Sequence, residues 1–369
     1  MRFQTISFLL LCVILLIIYF DNSKQNIEHF SNYKSQCGHY PNLLLQVMNN
    51  RNMHEDNDNY DIYIPCSYND CEKEVLEFEG YNNKKIFLID GCDWIASKLA
   101  LWELLKEYYR EDASKFMPTT FLLEYDRDKE KFRDHYNSNL KKNPNQMYVL
   151  KNYAQRQEGI KLTRDYNEVV NGLNNGWYLV QDYIYNPYLI DKRKINFRYY
   201  MLIVCRNGNI ESYIHSDGFV YYTPKYYDAN DMDFEKHITT GYIDRSVYDH
   251  NPLTLEDFRI HLDGKGHNLR SKWDESVKKL LGGVMIAISN KICKNKKLDD
   301  NVRFQLFGCD VAPDAELGCS LMEINKGPDL DAKDERDKQV KLRVQSDIFK
   351  IVDPINNDSL KETRFIKIL

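Results

Sequence analysis

Residues Phe304–Leu330 read FQLFGCDVAPDAELGCSLMEINKGPDL. An apolar run, Phe304 to Phe307, ends in Gly308, Cys309 and Asp310. A turn-rich segment with Pro313, Asp314, Glu316 and Gly318 follows, and a second apolar run ends in Glu323, Ile324 and Asn325. This pattern predicts two short strands joined by a turn. Glu323 and Asn325 are two apart and share one face of the second strand, while Met322 and Ile324 share the other and can pack on a core. Pairing with the first strand can bring Asp310 to the side of Glu323 and Asn325. Two carboxylates and an amide oxygen on one rigid face suit Mg²⁺ bridging to phosphates. On these residues alone, an ordinary hairpin with a polar solvent face is an equal reading.

Upstream, Ser271 to Lys294 reads as a long helix with Trp273, Val277, Leu280, Leu281, Val284 and Ile288 on one face. Residues 224–266 are polar and irregular, the texture of a substrate loop. Asn196 to Cys205 (NFRYYMLIVC) is a predicted long strand, Asn207-Gly208 a hairpin turn, and Ile210–Ile214 with Gly218–Tyr222 its continuation as a meander. Met147 to Lys151, Ile160 to Leu162 and Trp177 to Ile184 read as further strands, with a polar loop, Asn152 to Gly159, between the first two. Residues 82–145 read as a small α/β unit, including a helix from Asp93 through Tyr108. Asp331 to Phe349 reads as a charged terminal helix.

The N-terminal part has a different texture. Residues Ile6 to Phe20, ISFLLLCVILLIIYF, form an apolar run that with Phe3 spans about 18 residues, the lower end of a bilayer crossing. No small-residue cleavage pattern follows Phe20, which favours an uncleaved single-pass anchor over residues 1–21, in contact with membrane through residues 3–20. Residues 22–81 are rich in Asn, Tyr and Asp and read as a polar linker or stalk.

The chain has 369 residues, 28% charged, with a net charge of −5, and carries no basic stripe, so nucleic acid is not an expected partner. Its 27 tyrosines and abundant Asn, Lys and Ile fit an AT-rich genome, such as that of a protist or a large DNA virus. The nine cysteines are scattered and complete no zinc pattern. Most are expected as reduced thiols in a cytosol-facing domain, with a Cys66–Cys71 disulfide left open.

Taken in order, these segments resemble the tubulin-tyrosine-ligase-like branch of the ATP-grasp fold, over roughly Lys98 to Val344. Phe304, Leu306, Phe307, Gly308, Asp310, Leu321, Glu323 and Asn325 resemble the family's F-x-L-F-G-x-D … L-x-E-x-N signature. WYLVQDYIYNPYLI (Trp177–Ile190), RKINFRYYMLIV (Arg193–Val204), His237-Ile-Thr-Thr240, Tyr148-Val-Leu-Lys151 with Glu158-Gly159-Ile160, and Ser97-Lys98-Leu99 resemble its other motifs. The resemblance implies an α/β (α+β) fold, with the nucleotide between two mainly antiparallel sheets and residues 146–369 as the ATP-grasp subdomains. It implies a ligase using ATP and Mg²⁺ to join an amino-acid donor to a protein or peptide carboxylate through an acylphosphate.

Residue by residue, it implies Lys151 on the α/β-phosphates, Arg156 in the loop over the phosphates, and Gln181, Tyr183 and Ile184 at the hinge against the adenine. Lys194 would lie near the ribose and phosphates, Arg198 on the transferring phosphate or acceptor, Thr239 near the sugar and γ-phosphate, and Lys98 near the γ-phosphate or acceptor. Asp310, Glu323 and Asn325 would hold Mg²⁺. Three positions depart from the family pattern. Asn196, in the catalytic strand with Lys194 and Arg198, stands where Asp is usual. Thr240 replaces an Asn. Ser216 stands where an Arg is expected to recognise the donor's carboxylate. A pseudoligase that binds nucleotide without ligation, and a ligase acting on a small molecule or peptide, are therefore the alternatives. No long basic tract is present to grip acidic tubulin tails, so tubulin is not an assured acceptor.

Overall fold

The computed structural model describes residues 31–35, 42–66, 71–77, 82–152, 159–354 and 362–369. The first seven strands are β1 (Tyr33–Lys34), β2 (Ile62–Tyr63), β3 (Lys85–Ile86), β4 (Thr120–Leu122), β5 (Tyr148–Lys151), β6 (Ile160–Thr163) and β7 (Leu179–Asp182). Six more follow: β8 (Leu189–Ile190), β9 (Arg193–Arg206), β10 (Asn209–Tyr222), β11 (Val302–Pro313), β12 (Cys319–Asn325) and β13 (Phe365–Lys367). The principal helices are α1 (Asn42–Asn50), α2 (Lys98–Tyr109), α3 (Asp126–Lys142), α4 (Phe234–His237), α5 (Leu255–Asp263), α6 (Leu269–Ile288) and α7 (Glu335–Val352).

Two sheets result. The larger runs β1-β2-β3-β11-β9-β10-β13, with β12 on β11 and β8 on β9; the smaller runs β4-β7-β5-β6. The smaller sheet is wholly antiparallel, whereas β1, β2, β3 and β11 pair in parallel. The larger sheet is thus mixed.

On one face of the large sheet, α5 and α6 bring Phe258 and Trp273 onto Phe197, with ring centroids 4.6 and 4.7 Å away. The Trp273 indole N–H donates to the Tyr199 hydroxyl at 2.9 Å, so a buried aromatic core keeps no unpaired polar tip there. Full burial of Phe197 alone contributes roughly 1.5–3 kcal/mol. The residues alternating with these on β9, Lys194, Asn196 and Arg198, face the other side. The core therefore fixes which face of β9 carries the polar groups. The small sheet is covered by α3, whose Phe132 packs edge-on against Phe121 and Tyr148.

Several expectations change. Residues 22–81 are not a stalk where they are described: β1 and β2 extend the large sheet, and Leu44, Val47 and Met48 of α1 are buried in its core. The C-terminal end of α7 ties this region down. Asp353 accepts from Ser31 Oγ at 3.0 Å and pairs with Lys85 Nζ at 2.9 Å. The expected α/β unit over 82–145 is likewise not a separate layer, because β3 joins the large sheet and β4 the small one. The helix expected from Asp93 through Tyr108 breaks at Ser97. Ser97 adopts an extended backbone (φ −80°, ψ 123°) and its side chain accepts from Ala100 N, starting a new helix at Lys98. The loop 224–266 contains α5, closed at its start by a reciprocal Thr254–Asp257 capping box.

Cys205 and Cys293, expected as thiols, are joined in a disulfide, and Cys66 is also disulfide-bonded. Among the described residues, Cys309 and Cys319 are free thiols. The expected membrane anchor lies outside the described residues. Among those described, no helix is long and apolar enough to cross a membrane.

Candidate functional site

The β11–β12 hairpin forms as the alternation predicts. Asp310 pairs in register with Glu323, and Gly308 with Asn325. The turn is closed by the Asp314 side chain, which accepts from the Glu316 and Gly318 amides at 2.9 and 2.8 Å. Ile324 is buried, as expected of the core-facing side, but Met322 is not its equal. The register shifts between Asp310 and Val311, and this bulge takes up Met322. Its carbonyl lies 3.5 Å from Lys151 Nζ. Bulges re-aim groups in this way, and here one links the hairpin to the small sheet.

Asp310 also pairs in register with Arg198 of β9. The guanidinium meets the carboxylate with both prongs, Nε to Oδ1 at 2.6 Å and Nη2 to Oδ2 at 3.1 Å. Gly308 is needed beside them, since a Cβ there would sit 3.1 Å from Arg198 Nη1 and 3.0 Å from Pro328 Cβ. Glu323 is flanked by Lys98 Nζ at 3.9 Å and accepts from Asn325 Nδ2 at 3.3 Å. Lys98 Nζ also donates to the Asn152 carbonyl at 3.4 Å, at the edge of the polar loop.

Electrostatics separates the two carboxyls. Burial raises Asp310 above the usual carboxylate range, Arg198 opposes this, and the adjacent Glu323 adds to it. Burial would raise Glu323 too, but Lys98, Lys151, the Asn325 bond and Arg198 together hold it below its ordinary value. Lys151, fully enclosed, is pushed down to about 8 by burial, with Lys98 lowering it further and Glu323 and Asp310 opposing. Lys194 is pushed down to about 7 by burial and by Lys151. Lys98, Lys151 and Arg198 thus surround two carboxylates, with Lys194 beside Lys151.

The other expected residues fall as follows. Gln181 is buried and fully engaged: its Oε1 accepts from Lys151 Nζ at 2.8 Å, and its Nε2 donates to Thr120 Oγ1 at 2.9 Å and to the Pro118 carbonyl at 3.4 Å. Its side chain therefore orients Lys151 and is not turned to a base. Tyr183 is buried beneath Lys194, whose Nζ donates to its hydroxyl at 3.3 Å, and Ile184 is half-buried beside it. Thr239 is half-buried next to Thr240, which bridges to Tyr222 at the end of β10. Arg156 lies outside the described residues. Asn196 shares the polar face of β9, and its Oδ1 is buried with no hydrogen-bond partner.

His215 and Lys225, the basic residues close to Ser216 in sequence, are both engaged elsewhere. His215 is fully buried against Asp347 at 3.2 Å, and Lys225 is ion-paired at the surface with Asp233 and Glu235. Ser216 itself gives its carbonyl to Arg259 Nη1 at 2.7 Å.

The family model described as "Tubulin-tyrosine ligase family" matches residues 79–361. The chain belongs to the tubulin-tyrosine ligase family. Similar relatives of the tubulin-tyrosine ligase family include the "Probable tubulin polyglutamylase ttll-9" of Caenorhabditis elegans, 26% identical over 252 residues, covering 64% of this chain and 58% of the relative. The "Probable tubulin polyglutamylase TTLL9" of Rattus norvegicus is 29% identical over 188 residues, covering 48% of this chain and 38% of the relative. The "Inactive polyglycylase TTLL10" of Homo sapiens is 28% identical over 173 residues, covering 44% and 25%. The chain therefore spans between a quarter and some three-fifths of the length of these relatives.

The sequence places Gln181 at the hinge, and the structure adds that its side chain holds Lys151 at 2.8 Å. His237, to which the sequence reading gives no role, is the buried partner of Tyr183 at 2.8 Å. Its place in the same His-Ile-Thr-Thr quartet was the available signal. Among the described residues no group of three or more His, Cys, Asp and Glu forms a metal cluster. The donor set is two carboxylates and an amide, which is hard oxygen chemistry. The paired Asp310 and Glu323, one of them resisting ionisation, and the orphaned Asn196 oxygen on the facing strand fit a magnesium–phosphate group.

Proposed function

We propose that this chain is an ATP- and Mg²⁺-dependent carboxylate–amine ligase that adds an amino acid to a protein carboxylate. The observation that carries this reading is the register Arg198–Asp310–Glu323 across three adjacent strands, flanked by Lys98 and Lys151, with Lys194 next to Lys151.

Each side chain has a task that follows from its chemistry. Lys151, steadied by Gln181 and the Met322 carbonyl, presents a point charge to the phosphates. Lys194 presents a second, and both lysines become fully charged as polyphosphate enters. Asp310, Glu323 and Asn325 would hold Mg²⁺, which when bound neutralises phosphate charge as a Lewis acid. Arg198, with donors to spare beyond Asp310, lies where charge develops on the phosphoryl group passing to the acceptor carboxylate. The amine of the donor then attacks the acylphosphate carbon, the C–N bond forms, and phosphate leaves. Most of the acceleration is positioning and charge neutralisation.

Calorimetric titration with ATP in the presence and absence of Mg²⁺ tests the nucleotide half of this reading. Saturable, Mg²⁺-dependent binding is expected, and no binding in either condition would refute it.

A second reading is a nucleotide-binding pseudoligase. Two observations favour it: Asn196 stands where the family pattern has an acid, and Arg259, the arginine bonded to the Ser216 carbonyl, is paired with Asp274. It predicts Mg–ATP binding without ADP release.

The names of the relatives make a tubulin-type acidic tail the first acceptor to try. The absence of a basic tract argues for testing other carboxylate-bearing peptides beside it. If the apolar run over residues 3–20 anchors the chain in a membrane, the site faces the ATP-containing side. Full protection of the domain inside sealed, ATP-free vesicles would speak against that orientation.

A further inference from the structure

A hydrogen-bond chain runs from Lys194 away from the cleft. Lys194 Nζ lies 3.3 Å from the Tyr183 hydroxyl and 4.3 Å from the centroid of its ring. That hydroxyl lies 2.8 Å from His237 Nδ1, and His237 Nε2 lies 2.9 Å from the main-chain oxygen of Asp231. Lys194, Tyr183 and His237 are all buried.

With Lys194 in the charged form that bound phosphate favours, the donor and acceptor inventory fixes the direction of each of these bonds. A carbonyl oxygen only accepts, so His237 Nε2 carries a proton. A neutral imidazole then leaves Nδ1 bare, and Nδ1 accepts from the Tyr183 hydroxyl. An ammonium only donates, so Lys194 gives a proton to the Tyr183 oxygen. The order is Lys194 N–H to Tyr183 oxygen, Tyr183 O–H to His237 Nδ1, and His237 Nε2–H to the Asp231 carbonyl.

We infer that His237 is a positioning residue which, through Tyr183, holds the Lys194 ammonium at its place in the cleft, and does so only while its imidazole is neutral. The inference rests on the nucleotide-binding reading of Lys194 given above.

Protonation of His237 reverses the logic. Nδ1 becomes a donor, the Tyr183 hydroxyl can no longer donate to it and is left with Tyr227, and a second positive charge appears beside Lys194. The groups facing His237 are Tyr183 and Lys194 on the sheet side, Tyr227 with its ring edge-on at 5.5 Å, Arg164, and Asp231. Burial disfavours the imidazolium most. The bond to the Asp231 carbonyl opposes this, Lys194 adds to it, the Asp231 charge opposes it and Arg164 adds to it, and the balance lies below the ordinary histidine value. His237 is therefore neutral near pH 7 and becomes charged only on acidification.

The test uses the full chain, as wild type, His237→Asn and Tyr183→Phe, and titrates Mg–ATP between about pH 5.5 and 8. In parallel, ¹⁵N-histidine spectra report the His237 tautomer without any nucleotide. The Nε2–H tautomer is expected at neutral pH. Both variants should bind Mg–ATP about five- to tenfold more weakly than wild type at pH 7.5, the scale of one lost hydrogen bond with its buried partner left unpaired. The wild type should lose further affinity in acid, and both variants should lack that additional loss. Protonation of ATP and of Lys194, which titrates in the same range, occurs in all three proteins, so the difference between wild type and variants is what reports His237. Tyr183→Phe keeps the ring and serves if His237→Asn fails to fold. An Nδ1–H tautomer overturns the inference whatever the nucleotide data. Wild-type binding with the same acid loss in both variants overturns it alone. No Mg–ATP binding by the wild type removes the nucleotide reading, and this inference with it.

Discussion

The Arg198 guanidinium and the Asp310 carboxylate lie side by side on β9 and β11 and are joined at two points, 2.6 and 3.1 Å. The pair leaves donors on Arg198 and lone pairs on Asp310 unused, so each can hold its partner and still serve a ligand. Lysine cannot reproduce the two-pronged contact. Arg198→Lys should therefore lower ATP turnover by about a hundredfold or more, the scale of removing one preorganised charge-stabilising donor. Steady-state ADP release measures this. Turnover within a few-fold of wild type would show that Arg198 is structural only.

Glu323→Gln removes the carboxylate that faces Lys98 and Lys151 while preserving size. Turnover should fall by at least about a hundredfold, and the Mg²⁺ concentration for half-maximal ATP binding should rise. A magnesium titration at fixed ATP reads both. An unchanged Mg²⁺ requirement would remove Glu323 from the metal site.

The buried lysines set an alkaline limit. Their pKa values in the free protein lie near 7 for Lys194 and near 8 for Lys151. Phosphate favours the protonated form, so above pH 7 binding must take up protons, first at Lys194 and then at Lys151. Mg–ATP affinity should accordingly fall as pH rises from 7 to 9, with proton uptake visible as a buffer-dependent binding enthalpy. Affinity that is flat or improves over that range would contradict the burial of these two charges.

Gly218 tests the strand pair behind the site. A Cβ there would lie 2.2 Å from the Arg198 carbonyl and 2.9 Å from Leu255 Cδ1. Gly218→Ala should destabilise the chain by about 1–3 kcal/mol through overpacking and displace Arg198. A lower thermal midpoint together with weaker Mg–ATP binding is expected. A wild-type melt would mean that β10 can shift without cost.

The hairpin was legible because it rests on strict alternation, and Lys194, Asn196 and Arg198 because they lie in a stretch that resembles a family motif. Glu323 and Asn325, and Lys194, Asn196 and Arg198, each lie two apart, and period two puts them on one face. Strands of two residues, such as β1 and β2, carry no period, so residues 22–81 looked like linker although Leu44, Val47 and Met48 are core. The break at Ser97 was hidden because apolar spacing continues across it; only the extended backbone at Ser97 resets the helix. The Met322 bulge and the Gln181 clamp are tertiary: each depends on a strand from another part of the chain meeting Lys151. The Cys205–Cys293 disulfide joins residues 88 apart in sequence, and no local spacing announces such a pair.

The most direct test of the account is a single assay on the full chain. It is incubated with ATP, Mg²⁺, a mixture of amino acids and carboxylate-bearing peptides, including an acidic tubulin-type tail. ADP release and peptide mass are followed together, with Glu323→Gln in parallel. The account predicts ADP release matched by a peptide mass gain of one amino-acid residue, both lost in the variant. Saturable Mg–ATP binding with neither ADP release nor mass gain under any acceptor would contradict ligation and leave the pseudoligase.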